Sequence, residues 1–238
     1  ELSSSPEFVR RFYAEASAAA RVVHPHVIQI YFIGEDAGRH FFAMQYVDGE
    51  SLAMLLDRRG RLSTNETLTL LEQVLSGLGA AHRQGLIHRD VKPANILAVM
   101  DGDRIVDVKI SDFGSVFDLR SDRTQVFRVG SLAYMSPEQL DGSTLDTRAD
   151  MYSLAAVLYH LVAGRPPFDA ANQVALMHQI YHAQPAPLTG LREGVPPRMD
   201  ALLRQALSKQ PADRPSSWEA FAREWSLLVA NGEVPVGR

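Results

Sequence analysis

The chain has 238 residues, with a hydrophobic fraction of 46%, a charged fraction of 22% and a net charge of −4. That length buries a sizeable core and suits one large domain or a two-lobed unit, and the charge balance gives no footprint for nucleic acid or a membrane surface. Without cysteine there is no disulfide framework and no cysteine-ligated metal, and the longest apolar run, Leu154 to Ala163, is interrupted by His160 and too short to span a bilayer.

At the N-terminus, Ser5-Pro6-Glu7 supplies a helix cap, a proline at the first helical position and an acid in the first turn. The chain opens on Glu1 rather than Met and shows no signal peptide, which reads as a fragment or processed product. A helix is predicted from Pro6 to about Val23, stopped by His24-Pro25. Its apolar stripe is Phe8, Phe12, Ala16, Ala19 and Val23. Glu15 falls within that face, where a carboxylate needs a cationic partner, and Arg11 is the local candidate. Two β-rich runs follow, His26 to Gly34 and His40 to Val47, as a hairpin about a glycine-containing loop.

Ser63 and Glu66 form a capping box for a helix whose Leu68, Leu71, Leu75 and Leu78 line one face, up to Gly85. Ile96 to Val99 and Asp107 to Ile110 read as short strands about a turn at Asp101-Gly102. Residues 115 to 130 lack apolar periodicity and read as a mobile loop. Thr147 to Gly164 is helical and apolar nearly all round, so it belongs inside a lobe; Asp150, three after Thr147, reads locally as part of a capping box. Ser216 to Glu219 caps a last helix carrying Trp218, Phe221, Trp225 and Leu228, and residues 231–238 look like the start of a linker.

The chemistry lies in three motifs. His88-Arg89-Asp90-Val91-Lys92-Pro93-Ala94-Asn95 precedes Asp112-Phe113-Gly114, which precedes Ser136-Pro137-Glu138. Singly, Asp90 and Asn95 would read as turn residues; in this order and spacing the set is a strong signature. Together they place carboxylates, an amide oxygen and an ammonium, hard oxygen donors and a point charge, in neighbouring motifs.

The set resembles the eukaryotic-type (Hanks-type) bacterial serine/threonine protein kinase catalytic domain, from near residue 6 to near residue 230. An arginine count of 21 against three lysines, with abundant alanine, fits a GC-rich bacterial genome. The resemblance implies an α+β, two-lobed fold: residues 1–47 as a partial small lobe and 48–230 as a complete helical large lobe. It implies Mg²⁺ and ATP, with Asp90 as base, Lys92 at the γ-phosphate, and Asn95 and Asp112 as metal ligands. Met44 would be the gatekeeper, Tyr46 and Val47 part of the adenine-binding hinge, and Leu97 the floor of the adenine pocket. Without the downstream motifs, the hairpin would read as an ordinary edge with a buried Met44.

By the same resemblance Glu15 lies on the helix the family calls αC, and Ser131 takes the place of a threonine whose hydroxyl bonds the base and the lysine. Glu138 pairs with Arg214, Asp150 ties down the catalytic-loop backbone, and Phe113 and Gly114 complete the Asp-Phe-Gly turn. Lys92 and Ser131 favour serine/threonine over tyrosine acceptors. Arg89, beside the base, implies regulation by phosphorylation, with Thr124 and then Ser121 as candidate sites and Arg123 and Arg128 sharing the phosphate.

The expected partners are ATP and a protein carrying Ser or Thr, with no nucleic acid and no direct membrane contact. The expected location is cytoplasmic, alone or as the cytoplasmic part of a membrane-attached protein. The sequence departs from the family in two respects: no lysine precedes Lys92, and no glycine-rich loop precedes the first helix. A small lobe lacking its first three strands would leave a hairpin edge open to self-association. A pseudokinase scaffold is the competing reading. A small-molecule phosphotransferase ranks lower because the Ser-Pro-Glu segment is present.

Overall fold

Pro6 opens α1 (Pro6–Ala20) in a computed structural model that describes residues 6–113 and 129–230. The helix ends a turn earlier than the sequence pattern suggests, because the Gln29 amide donates to the Ala20 carbonyl at 3.0 Å and closes it. The register of the apolar face changes accordingly. Ala16, Ala19 and Val22 are buried, whereas Val23 is 79% exposed. Glu15 is half-buried, and the side chains of Phe8 and Arg11 lie outside the described residues.

The hairpin is shorter than expected, with β1 (Ile30–Asp36) pairing antiparallel with β2 (Arg39–Met44). Its turn is Ala37-Gly38, both at positive φ (49° and 75°), the backbone of a primed two-residue turn. Residues 26–28 do not extend β1, because their backbone is used elsewhere. The Ile28 N–H donates to the Ile110 carbonyl and the Ile110 N–H to the His26 carbonyl, both at 2.9 Å. This segment is thereby laid against the strand leading to Asp112.

Two residues, β3 (Glu50–Ser51), pair with β4 (Ile96–Asp101), which pairs in turn with β5 (Arg104–Ile110). The strands reach further than the pattern suggests, so the turn is Gly102-Asp103, with Gly102 at φ 57°. Glycine is required at position 49. A Cβ there would lie 2.3 Å from the Ala98 carbonyl oxygen, so no other residue lets the incoming chain run this close to β4.

The large lobe is helical. After α2 (Leu52–Arg59), α3 (Thr64–His82) starts at the expected Ser63–Glu66 capping box and buries Leu68, Leu71, Leu75 and Leu78. Then come α4 (Val129–Leu132), α5 (Pro137–Leu140) and α6 (Thr147–Ala163). Every residue of α6 from Ala149 to Tyr159 is buried. Its cap is Asp146, which accepts from the Arg148 N–H, and not a Thr147–Asp150 box; Asp150 is thereby left for another task. Gly164 ends α6 in the left-handed region at φ 76°.

Four further helices complete the lobe: α7 (Gln173–His182), α8 (Leu188–Leu191), α9 (Pro197–Ala206) and α10 (Trp218–Ala230). The last buries Trp218, Phe221, Trp225 and Leu228 as the pattern predicts. One large core joins these helices to β4 and β5. Among the described residues, no helix is long and apolar enough to cross a membrane.

Burial is uneven. Tyr31, Phe32, Phe41, Phe42 and Met44 of the hairpin are exposed, whereas α6 is enclosed. Amide protons of β1 and β2 are therefore expected to exchange well before those of Leu154 to Val162, since few buried contacts resist local opening. Equal protection of the two, measured by hydrogen exchange on the monomer, would contradict this.

Candidate active site

The loop between α3 and β4 is held from below by one carboxylate. Asp150, fully buried on α6, accepts from the His88 N–H through Oδ2 and from the Arg89 N–H through Oδ1, both at 2.8 Å. His82, in the last turn of α3, donates Nε2 to the same Oδ2 at 2.7 Å. With both oxygens engaged, the loop backbone is fixed in position and direction. Arg89 is forced to φ 66°, an uncommon region for a residue with a Cβ. A second tie comes from Gln139 of α5, whose side-chain amide donates to the Arg89 carbonyl at 2.6 Å.

His88 is buried and joins this loop to the next motif. Its Nε2 donates to the Ser111 carbonyl at 2.8 Å, and its Nδ1 accepts from the Asp90 N–H at 3.2 Å. The ring lies 4.4 Å from that of Phe113. Phe113 packs against both the large core and the small cluster of Val22, Val27 and Ala81. Asp112, like Arg89, sits at positive φ (60°). Two such non-glycine residues flanking one site are a local cost that only an over-determined surrounding can hold.

On this frame three side chains converge. Lys92 Nζ donates to Asp90 Oδ2 at 2.7 Å. The Asn95 amide donates to both the Asp90 carbonyl and Asp90 Oδ2, each at 2.9 Å. The Ser111 N–H then donates to the Asn95 carbonyl at 2.9 Å, which sets Asp112 immediately beyond Asn95. The expected hydroxyl bonds from Ser131 to Asp90 and Lys92 are not made; Lys92 and Asn95 both bond Asp90 Oδ2. Ser131 lines a cavity of about 270 Å³ together with Lys92.

Ser51 pairs with Leu97, so the chain arriving from residues 45–49 ends beside the half-buried leucine expected beneath adenine. Met44 is 46% exposed and Tyr46 85% exposed, while Val47 is half-buried, so Met44 is not the buried core residue of an ordinary hairpin. Arg214, 2% exposed, grips Glu138 in a two-pronged pair, Nη1–Oε1 at 2.6 Å and Nη2–Oε2 at 2.8 Å, and lies over the Tyr152 ring. Gly114, Ser121, Arg123, Thr124 and Arg128 fall outside the described residues.

Sequence reading passed over His82, Gln139 and Ser111. His82 and Gln139 belong to none of the sequence motifs, and Gln139 also completes the cap of α5. Ser111 acts mainly through its backbone, which no side-chain pattern reveals.

The profile of the protein kinase domain family matches residues 2–226. The chain belongs to that family. The kinase domain is 39% identical over 232 residues to the serine/threonine-protein kinase pkn3 of Myxococcus xanthus, covering 94% of this chain and 42% of that protein. It is 38% identical over 231 residues to the serine/threonine-protein kinase PknL of Mycobacterium tuberculosis, covering 96% and 57% respectively. With the serine/threonine-protein kinase PknB of the same species it shares 35% identity over 243 residues, covering 99% and 38%. The chain thus spans between 38% and 57% of the length of these relatives.

Asp150 also has a pH signature. Burial pushes its carboxyl up, but the hydrogen bond and charge of His82 and the His88 N–H outweigh this and hold it below its ordinary value of 3.8. A carboxyl depressed in the folded state stabilises fully above its unfolded value, and loses that stabilisation as pH falls through the folded one. Asp150→Asn is expected to lower stability at neutral pH and flatten the loss below about pH 4. Asp150→Ala, which strips a buried network of its acceptor, should cost about 3–5 kcal/mol. Urea titrations at several pH values check both, and an acid limb equal in slope to that of the parent would contradict the assignment.

Proposed function

We propose that the domain transfers the γ-phosphate of ATP to serine or threonine hydroxyls of proteins, with Asp90 as the base. The observation that carries this reading is the convergence of Asp90, Lys92 and Asn95 on one oxygen, Asp90 Oδ2, over a backbone fixed by Asp150. Oδ1 of Asp90 is then the oxygen left to accept the hydroxyl proton as the substrate oxygen attacks. Lys92 stands beside it as a point charge for the transferred group. Residues 1–47 would form the nucleotide-covering lobe and 48–230 the substrate-binding lobe, with 231–238 leading out of the domain.

The residues present fit magnesium. The Asn95 amide nitrogen is committed to Asp90, and its side-chain oxygen, with the Asp112 carboxylate, supplies two hard ligands. Among the described residues no cluster of three or more His, Asp or Glu could hold a metal by itself. A site with two protein oxygens, completed by phosphates and water, is one that magnesium accepts. When bound, the ion neutralises charge on the phosphate oxygens. Tyr46 and Val47 would present backbone groups to adenine, with Met44 behind and Leu97 beneath it. Glu15 would set the position of α1 against the nucleotide lobe.

Ser131, though unbonded to Asp90 here, would remain near enough to steady an incoming hydroxyl. Arg89 would join Arg123 and Arg128 in holding a phosphate on Thr124 or Ser121. A second reading is a pseudokinase scaffold. Within this chain no lysine precedes Lys92 and no glycine-rich loop precedes α1, so transfer by these 238 residues should fall below about 1 s⁻¹, the lower end of ordinary kinase rates. The edge of the β1–β2 pair, open among the described residues, would also let copies associate.

The two aspartates separate chemistry from binding. Asp90→Asn is expected to keep Mg²⁺-nucleotide affinity and lower kcat about 10²–10⁴-fold, whereas Asp112→Asn should weaken Mg²⁺-nucleotide binding as well. Calorimetry on both variants, with phosphate transfer measured in parallel, checks the division. Equal losses of binding would refute it, and unchanged turnover in Asp90→Asn would favour a base elsewhere.

A further inference from the structure

Six of the eight histidines are already engaged. His24, His26 and His40 have Ser76, Asp107 and Glu35 as polar partners. His82, His88 and His160 have Asp150, Ser111 and Tyr134. His178 and His182 make no hydrogen bond or ion pair with any described residue, and both are exposed. Four apart in α7, they lie one above the other on the same helix face. Their ring centres are 4.8 Å apart and their planes are inclined at 56°, so the pair is not a face-to-face stack.

The other side of this stretch of helix is fixed. Leu176 and Ile180 are buried. The Gln179 side chain accepts from the Asp169 N–H at 3.2 Å and donates to the Asp169 carbonyl at 3.0 Å. The Tyr181 hydroxyl donates to Asp141 Oδ1 at 2.6 Å, and Lys209 Nζ donates to the Gln179 carbonyl at 3.2 Å. The backbone that carries the two imidazoles is therefore held, and only side-chain rotation is left to adjust. Two imidazole nitrogens bound to one ion at about 2.0–2.1 Å bring their ring centres to roughly 5 Å. That is close to the spacing already present. His182 also lies in the last turn of α7, where the helix end favours a cation.

We propose that His178 and His182 form a chelating site for a divalent transition-metal ion, zinc in the first instance, with water in the remaining positions. Imidazole nitrogen suits zinc, copper and nickel, whereas magnesium and calcium take oxygen. Among the described residues no group of three or more His, Asp or Glu could hold a metal. The site is therefore open and exchangeable, unlike the closed four-ligand sites of structural zinc. Neither histidine belongs to the motifs that carry the chemistry, and the inference does not depend on the phosphotransfer reading. Helix α7 packs against α4, which carries Ser131, so the ion would sit on a helix that borders the active-site segment.

The test uses the 238-residue chain, free of any polyhistidine tag and stripped of metal, with zinc chloride as the probe. Calorimetry gives affinity and stoichiometry, and NMR of the histidine rings gives location. One ion per chain is expected, and the ring signals of His178 and His182 should move before those of the other six. His178→Ala and His182→Ala should each weaken binding about tenfold or more, because each removes the second, intramolecular contact. His24→Ala, which removes an imidazole already bonded to Ser76, should bind zinc as the parent does. Magnesium chloride at the same concentration should move neither ring.

Parent-like zinc affinity in either His178→Ala or His182→Ala overturns the proposal. Earlier movement of any other histidine, or weakened binding in His24→Ala, places the ion elsewhere and overturns it too. Equal movement of the two rings by magnesium would show that no imidazole-selective site exists.

Discussion

One buried carboxylate holds this domain's working parts in register. Asp150 is enclosed by α6, and an isolated charge there would be prohibitively costly. It is tolerable because both oxygens are satisfied, by His82 from α3 and by the backbone of His88 and Arg89. The same bonds that make the charge acceptable dictate where the loop lies. Asp90 follows directly, His88 reaches across to Ser111, and Ser111 aligns Asp112 with Asn95. Arg214 does comparable work at the other end, anchoring Glu138 under the segment that carries Gln139 to the same loop.

The clustering of Asp90, Lys92 and Asn95 was legible because the motif fixes residue types and their spacing together. Asp90, Lys92 and Asn95 are separated by two and three residues, so the loop that joins them brings the three together without long-range help. The α6 helix was equally plain, since an apolar surface all round a helix has only one place to go. Where the pattern misled, long-range pairing had taken over. Residues 26–28 look like the start of a strand, but their hydrogen bonds go to Ile110 and not to the hairpin partner. Val22 displaced Val23 from the core because α1 ends before the helical period reaches them.

The local reading of Asp150 as part of a cap fails for a similar reason, whereas its tie to the loop backbone is present. An acid three residues into a helix is a good cap, and Asp146 simply precedes it by four and takes that role. Which of two acids caps a helix depends on where the first turn begins, and element boundaries are the part of a fold that local pattern fixes least. His82 and Gln139 were invisible for another reason. Each makes its decisive contact with residues distant in sequence, His82 with Asp150 and Gln139 with Arg89, and neither has a side chain that announces chemistry.

The left-handed backbone at Arg89 and Asp112 makes the loop depend on the helices around it. Neither residue prefers that conformation by itself, and Arg89 is held there by Asp150 and Gln139. Until α6 has packed against α3, Asp150 has no means of reaching the loop, and Arg89 relaxes into the ordinary right-handed or extended basins. The loop geometry is therefore conditional on the contact between α3 and α6. A change that loosens the α3–α6 contact would then free the Arg89 backbone without touching the loop itself.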